Sequence, residues 1–198
     1  MERLVIASNN PGKLREIGHI LRPLEIEALP QSAFNVPEAA EPHCTFIENC
    51  IVKARHASAH TGLPALADDS GICVTALGGA PGVYSARYAG EPKSDERNNQ
   101  KLLTSLENAT DRRAHYYCVI VLIRHPDDPQ PLIAEGEWHG EILREARGAG
   151  GFGYDPLFLI PVLGKTGAEL ALEEKNRISH RGKALAQLTL RLKHTGGI

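Results

Sequence analysis

Arg3-Leu4-Val5-Ile6-Ala7-Ser8-Asn9-Asn10-Pro11-Gly12-Lys13-Leu14 holds the change of pattern that decides the fold. Residues 3–7 are apolar and β-branched, the composition of a short buried strand; residues 8–13 break into polar and turn-forming types. Leu14, Ile17, Ile20 and Leu21 then recur at the spacing of one helix face. This is strand, loop, helix, the unit from which α/β proteins are built. Working outward, 24–29 reads as a second strand, followed by an irregular stretch through Pro42. Thr45 opens a helix with a capping box, since Glu48 stands three residues on, and Phe46, Ile47, Cys50, Ile51, Ala54 and Ala57 form its buried stripe.

The uncharged run 63–67 reads as a buried strand ending at Asp68-Asp69, and 72–77 as a further strand. Ser94 caps a helix carrying Leu102, Leu103 and Leu106. The segment 115–123, strongly apolar with β-branched and aromatic residues, belongs at the centre of a sheet. Strand is expected again at 133–142 and 157–160, with a glycine-rich loop at 148–154. Thr166 with Glu169 forms a second capping box, and Ser179 precedes a closing helix whose Ala184, Leu185, Leu188 and Leu192 share a face. The last residues, from His194, are expected to fray. Long strands in the second half lack helical crossovers, so the sheet should be mixed.

Composition sets outer limits. The 198 residues, 42% hydrophobic, can bury one substantial core, and the length fits one large domain or two small lobes; a single compact domain spanning 1–198 without a separable linker is expected. A formal net charge of -2 gives no overall electrostatic reason to hold a nucleic acid polymer, so phosphate chemistry must use a local cluster. No uncharged run reaches membrane-spanning length and no signal-like segment follows Met1, which points to a soluble, cytoplasmic protein with no membrane partner. The four cysteines form no Cys-x-x-Cys pair and suit neither a zinc site nor a disulfide scaffold.

Five places carry candidate chemistry. Asp68-Asp69 places two carboxylates beside an apolar run, which costs Coulomb energy unless a cation compensates. Mg²⁺, which takes one or two protein carboxylates and fills its shell with water and phosphate oxygens, is the simplest compensator; a solvated turn is the alternative. Ser8 to Lys13 joins a strand to a helix N-terminus, a ready anion site with a lysine added, but lacks the glycine and hydroxyl of a P-loop. Lys53 lies at the edge of the apolar face of its helix, either at a site or snorkelling. Gly150 to Pro156 lets backbone approach a ligand while Phe152 and Tyr154 offer faces for a flat base, or else tuck into the core. Lys175 and Ser179-His180-Arg181-Gly182 set basic donors at a helix N-terminus, against the dipole, which suggests a purpose beyond stability.

Taken together, Ser8-Asn9-Asn10-x-x-Lys13-x-x-Glu16, Thr45-Phe46-x-Glu48-Asn49-x-x-x-Lys53-Ala54, Ala67-Asp68-Asp69-Ser70-Gly71, Gly79-Ala80-Pro81-Gly82-x-Tyr84-Ser85-Ala86-Arg87, Phe152-Gly153-Tyr154-Asp155-Pro156 and Ser179-His180-Arg181-Gly182 resemble the house-cleaning inosine/xanthosine triphosphate pyrophosphatases, in order and over nearly the whole chain. The resemblance implies hydrolysis of dITP, ITP and XTP to monophosphate and pyrophosphate with Mg²⁺. It also implies an elongated α/β fold with a long mixed central sheet flanked by helices, the nucleotide in a cleft between two lobes, and a homodimer. By motif position Asp69 is the proton acceptor and lies at the metal, with Asp68 and Glu41 as further metal carboxylates; Glu41 is preferred to Glu38, although Pro42-His43-Cys44 replaces the glycine that often follows. Ser8, Asn9, Asn10, Pro11, Gly12, Lys13, Lys53 and Ser70 would hold the triphosphate. Phe152, Gly153, Tyr154, Asp155, Lys175, His180 and Arg181 would enclose base and sugar. A pyrophosphatase for modified pyrimidine or methylated nucleotides, similar to septum-inhibitor-like proteins, and a non-catalytic nucleotide-binding module are the competing readings.

Overall fold

In the computed structural model, which describes residues 2–194, strands and helices follow one another as β1 (Arg3–Ile6), α1 (Pro11–Leu21), β2 (Glu27–Pro30), α2 (Phe46–Thr61), β3 (Ala65–Val74), α3 (Asp95–Ser105), β4 (Arg113–Ile123), β5 (Leu132–Ile142), β6 (Phe158–Ile160), β7 (Lys165–Thr166), α4 (Leu172–Ile178) and α5 (His180–His194). The strands form one mixed sheet in the order β2-β1-β3-β4-β5-β6-β7. β1 is parallel to β2 and β3, while β6 is antiparallel to β5 and β7. The remainder of the expected frayed end, 195–198, lies outside the described residues.

Cα packing divides the chain into two compact units, Met1–Asp69 with Cys118–Gly136 and His180–Ile198, and Ser70–Tyr117 with Glu137–Ser179. In the first, Leu4 and Ile6 of β1, Leu66 of β3, and Cys118, Ile120 and Leu122 of β4 face Ile17 and Leu21 of α1 and Ala184, Leu185 and Leu188 of α5. The alternate residues Val5, Ala65, Val119 and Val121 are also fully buried, as are Cys50, Ala54 and Ala57 of α2, which lies against β1. Strands covered on both faces read as unbroken apolar runs, which is why residues 4–7 and 118–123 are so uniform. In the second unit, Ile72, Val74, Leu102, Leu106, Trp138 and Ile142 close around Tyr116 and Phe158, whose rings meet edge to face at 4.8 Å.

Three expectations need correction. Asp68-Asp69 does not end a strand; β3 runs through both aspartates to Val74, and Thr75–Leu77 is a 3-10 turn instead of strand. The strand continues because bases within the fold answer the charges, as described below, so no solvated turn is needed. Pro23 sets a 3-10 turn at Arg22–Leu24, so β2 starts at Glu27 instead of 24. The Thr166 capping box is present, but it caps the 3-10 turn Gly167–Glu169, and α4 begins only at Leu172.

Candidate active site

β3 carries Asp68 and Asp69 into the first unit at 1% and 6% exposure. Buried carboxylates must be paired or hydrogen-bonded, and the sequence supplies the partners from three helices. Asp68 accepts from Lys13 of α1, from the Arg181 guanidinium of α5 through Nε at 3.0 Å, and from the Cys118 thiol of β4 at 2.9 Å. Arg181, 1% exposed, also pairs with the buried Glu16 of α1. Burial pushes Asp68 up, but Arg181 and Lys13 outweigh it and hold the carboxyl well below its ordinary range. The Cys118 thiol is driven the other way, upward, by burial and by Asp68.

Asp69 meets a different set of neighbours. Its Oδ1 accepts from Lys53 Nζ at 2.8 Å, and the same ammonium lies 3.0 Å from Glu41 Oε1. Its Oδ2 is buried and has no hydrogen-bond partner among the described residues. Burial raises the Asp69 pKa; Lys53 and Lys13 pull it back without cancelling the rise. Lys53 itself, although burial disfavours its charge, is held protonated by Asp69 and Glu41. Lys53 thus reaches from α2 to two carboxylates instead of snorkelling to solvent.

These residues also bear on what cation could bind. Asp69 and Glu41 form a hard oxygen pair gathered about one ammonium, and one of their oxygens, Asp69 Oδ2, is buried without a hydrogen-bond partner among the described residues. That donor set fits a small divalent ion, which needs only one or two protein carboxylates when phosphate and water complete its shell. Asp68, already accepting from Lys13, Arg181 and Cys118, is bound up in the protein's own ion pairs. Glu38 is exposed, whereas Glu41 is the acid that meets Lys53. Ser70 follows Asp69 on β3 and is half-buried.

At the start of α1, Asn10 is the N-cap: its Oδ1 accepts from Gly12 N at 2.8 Å and Lys13 N at 3.2 Å, and Pro11 occupies the first helical position. Asn10 N in turn donates to Ser8 Oγ. The helix amides expected to point outward are therefore already satisfied at Gly12 and Lys13, and the charge at this end comes from the lysine. Asn9, Asn10 and Pro11 are exposed and Ser8 is half-buried. Asn49 binds the His43 backbone at both N–H and C=O, at 3.0 Å each, and so serves its neighbouring loop.

The helix start at His180-Arg181 is placed by close contact. A Cβ on Gly136 of β5 would fall on the His180 carbonyl oxygen and lie 2.8 Å from Ala184 N, so only glycine lets α5 approach the strand this closely. His180 and Arg181 are 4% and 1% exposed. The cost of a basic residue at the positive end of a helix is offset by Asp68 and Glu16.

In the second unit, the loop Phe152-Gly153-Tyr154-Asp155 is organised by Asp155, 2% exposed. Its Oδ2 accepts from Phe152 N at 3.0 Å and from Lys175 Nζ of α4 at 2.6 Å. The same ammonium lies 4.7 Å from the Phe152 ring centroid, a cation–π contact covering one face of the ring. Tyr154 is a core residue, 4% exposed, its hydroxyl donating to Ser85 O at 2.7 Å. Of the two aromatics, only the half-buried Phe152 is placed to offer a face to a ligand.

Sequence reasoning gave no role to Glu16 or Cys118. Glu16 carries a signal, an acid beside Ile17 on the apolar face of α1; Cys118, within a hydrophobic run, carries none.

The Ham1 family model matches residues 4–190. The dITP/XTP pyrophosphatase of Nitrosomonas europaea is 68% identical over 95% of this chain and 93% of its own, and that of Ralstonia nicotianae 62% identical over 98% of each. Among solved structures, a HAM1 protein from Coxiella burnetii superposes with a TM-score of 0.90 at 52% identity, over 98% of this chain and 100% of that one. The Staphylococcus aureus Ham1 protein does so at 0.86 and 43%, over 98% and 99%. An α/β sheet of this strand order, the paired aspartates on β3 and likeness along nearly the full length lead to one conclusion: the chain belongs to the Ham1 family.

Proposed function

We propose that this protein hydrolyses non-canonical purine nucleoside triphosphates, dITP, ITP and XTP, to the monophosphate and pyrophosphate, and so removes deaminated purines from the nucleotide pool. The observation that carries the reading is Asp69: a buried carboxylate with one oxygen held by Lys53 and the other without a hydrogen-bond partner among the described residues, its pKa raised by burial.

Attack of water on the α-phosphorus requires loss of a proton while charge grows on phosphoryl oxygens. Asp69 takes that proton at Oδ2, the oxygen left without a partner. Lys53 orients Asp69 through Oδ1, and with Lys13 supplies positive charge to the departing pyrophosphate. Ser8 to Lys13 and Ser70 hold the phosphates. Asp69 and Glu41 would hold Mg²⁺, which supplies charge neutralisation and lowers the pKa of a bound water. Asp68 is assigned to the metal by resemblance alone; its bonds to Lys13 and Arg181 support a supporting role.

For the base, Phe152 offers a stacking face and Lys175 a fixed donor. Hypoxanthine and xanthine carry an oxygen at position six where adenine carries an amino group, so a donor there favours the former. A buried mismatch of this kind costs roughly 1–3 kcal/mol. Gly153, Tyr154 and Asp155 shape the loop, and His180 and Arg181 complete the set. We infer a cytoplasmic homodimer; four unpaired cysteines support the reducing compartment, and no helix among the described residues is long and apolar enough to cross a membrane.

The test is a substrate panel of dITP, XTP, dGTP, dATP and dUTP with pyrophosphate and orthophosphate measured separately. Pyrophosphate release from dITP and XTP is expected. Preference for dUTP would return the septum-inhibitor-like reading, and binding without turnover the non-catalytic one.

A further inference from the structure

Gly153 lies in the left-handed region, with φ of 62°, and both polar groups of its backbone are taken by one helix. Asp95 Oδ2 accepts from Gly153 N at 2.7 Å, and Asn99 Nδ2 donates to Gly153 O at 3.0 Å. Asp95 and Asn99 are four residues apart on α3 and so share a face. The helix that carries them is itself fixed. Leu102 and Leu106 are fully buried, and Asn98, 2% exposed, accepts from Ala89 N at 2.7 Å and donates to Ala86 O at 3.1 Å. Those two carbonyl and amide groups flank the end of Tyr84-Ser85-Ala86-Arg87, a motif for which the proposed chemistry has no direct use, and Ser85 O in turn receives the Tyr154 hydroxyl.

We propose that Asp95 and Asn99 are positioning residues for base recognition, which set the angle of the Phe152 ring by clamping the adjacent Gly153. This rests on the assignment of the Phe152 loop to the base. A glycine with positive φ has a shallow conformational well, and an exposed loop containing one drifts unless its backbone is bonded elsewhere. Here the loop is bonded on both sides of Gly153: Phe152 N to Asp155, Gly153 N and O to α3, Tyr154 Oη to Ser85. Asp95 and Asn99 bond the Gly153 backbone, and the proposed phosphate and proton chemistry assigns them no part. Their loss therefore weakens binding and base selection and leaves the chemical step intact, since a preorganised site lowers the ordering cost of binding.

The experiment measures kcat and KM for dITP and dATP, with amide hydrogen exchange at Gly153, in Asp95→Ala, Asp95→Asn, Asn99→Ala, Glu96→Ala and Phe152→Ala. Asp95→Ala is expected to speed Gly153 exchange, raise KM for dITP about tenfold with kcat within about twofold, and narrow the dITP-to-dATP preference. Asp95→Asn, which keeps an acceptor oxygen, should recover most of the loss. Glu96 is an exposed acid in the same first turn, so Glu96→Ala removes a comparable helix-dipole contribution and should leave KM unchanged. An equal rise in KM in Glu96→Ala, or unchanged KM in Asp95→Ala and Asn99→Ala while Phe152→Ala raises it, overturns the clamp. Unchanged KM and selectivity in Phe152→Ala removes the base-loop assignment itself, and the clamp with it.

Discussion

Asp68 and Asp69 are neighbours on β3 whose carboxyls are driven in opposite directions, Asp68 down by Arg181 and Lys13, Asp69 up by burial. Successive residues of a strand point to opposite faces, so one backbone segment presents one carboxylate to the basic groups of α1 and α5 and the other to Lys53 of α2. The two acids should respond differently to substitution. Asp69→Asn keeps shape and burial and is expected to reduce kcat by about 10²–10⁴ with little change in melting temperature. Turnover near wild type in a folded variant would reject Asp69 as the base.

Asp68→Ala should be primarily a stability mutation. It takes a carboxylate partner from the fully buried Arg181 and from Lys13, the situation in which one member of a buried ion pair is stranded. A loss of about 3–5 kcal/mol is expected from denaturant unfolding. Arg181→Met removes the opposite charge and should cost less when combined with Asp68→Ala than the two single losses summed, which a double-mutant cycle reads directly.

The same residue fixes a pH dependence. The folded-state pKa of Asp68 lies below its ordinary value near 3.8, so its contribution to stability is fully present above that value and is lost as pH falls through it toward the lower folded value. Asp128, held low by Arg124, adds a term of the same sign. Acid unfolding of the wild type should steepen below about pH 4, and Asp68→Asn should flatten that slope while Asp128 keeps part of it. An unaltered slope in Asp68→Asn would separate Asp68 from acid stability.

Activity should show the reverse shift. Asp69 must be ionised to accept a proton, and its raised pKa places the acid limb of the pH–rate profile above the usual carboxylate position. Lys53 is the principal group pulling that pKa down. Lys53→Met is therefore expected to move the limb to higher pH as well as to slow turnover, and a limb that stays in place would assign it to another group.

Removal of divalent metal tests the Asp69 and Glu41 pair. Chelator should abolish turnover, Mg²⁺ should restore it, and Glu41→Gln should raise the Mg²⁺ concentration needed for half-maximal rate. Full activity in chelator would discard the metal assignment.

The alternation of strands and helices was legible because both units use plain periodicities: uniform apolar strands buried on two faces, and helices with capped starts at Thr45 and Ser94. The continuity of β3 through Asp68-Asp69 was not, because a strand interrupted by charge is indistinguishable from a turn until Lys13, Lys53 and Arg181, distant in sequence, are seen to meet it. The two-residue β7 is too short to show a period. At the candidate site, residue types and motif order named Asp69, Lys53 and Lys175, while Tyr154 could be separated from Phe152 only by burial. Asp95 and Asn99 act through the Gly153 backbone, to which side-chain pattern is blind.

Gly136 links the sheet to the helix start that bears His180 and Arg181, and an added methyl there tests that link. In Gly136→Ala the new Cβ meets the His180 carbonyl and Ala184 N, both backbone atoms that cannot rotate aside, so the first turn of α5 must move. Overpacking of this kind costs about 1–3 kcal/mol. Because Arg181 lies in the displaced turn, its bonds to Asp68 and Glu16 lengthen with it, and both stability and KM should worsen together. Gly18 of α1 is the contrast: nothing lies within 4 Å of a Cβ there, and its replacement by alanine in a helix interior should stabilise by about 0.5–1 kcal/mol. Equal, small effects of the two substitutions on melting temperature and KM would show that α5 can shift on β5 without disturbing Arg181.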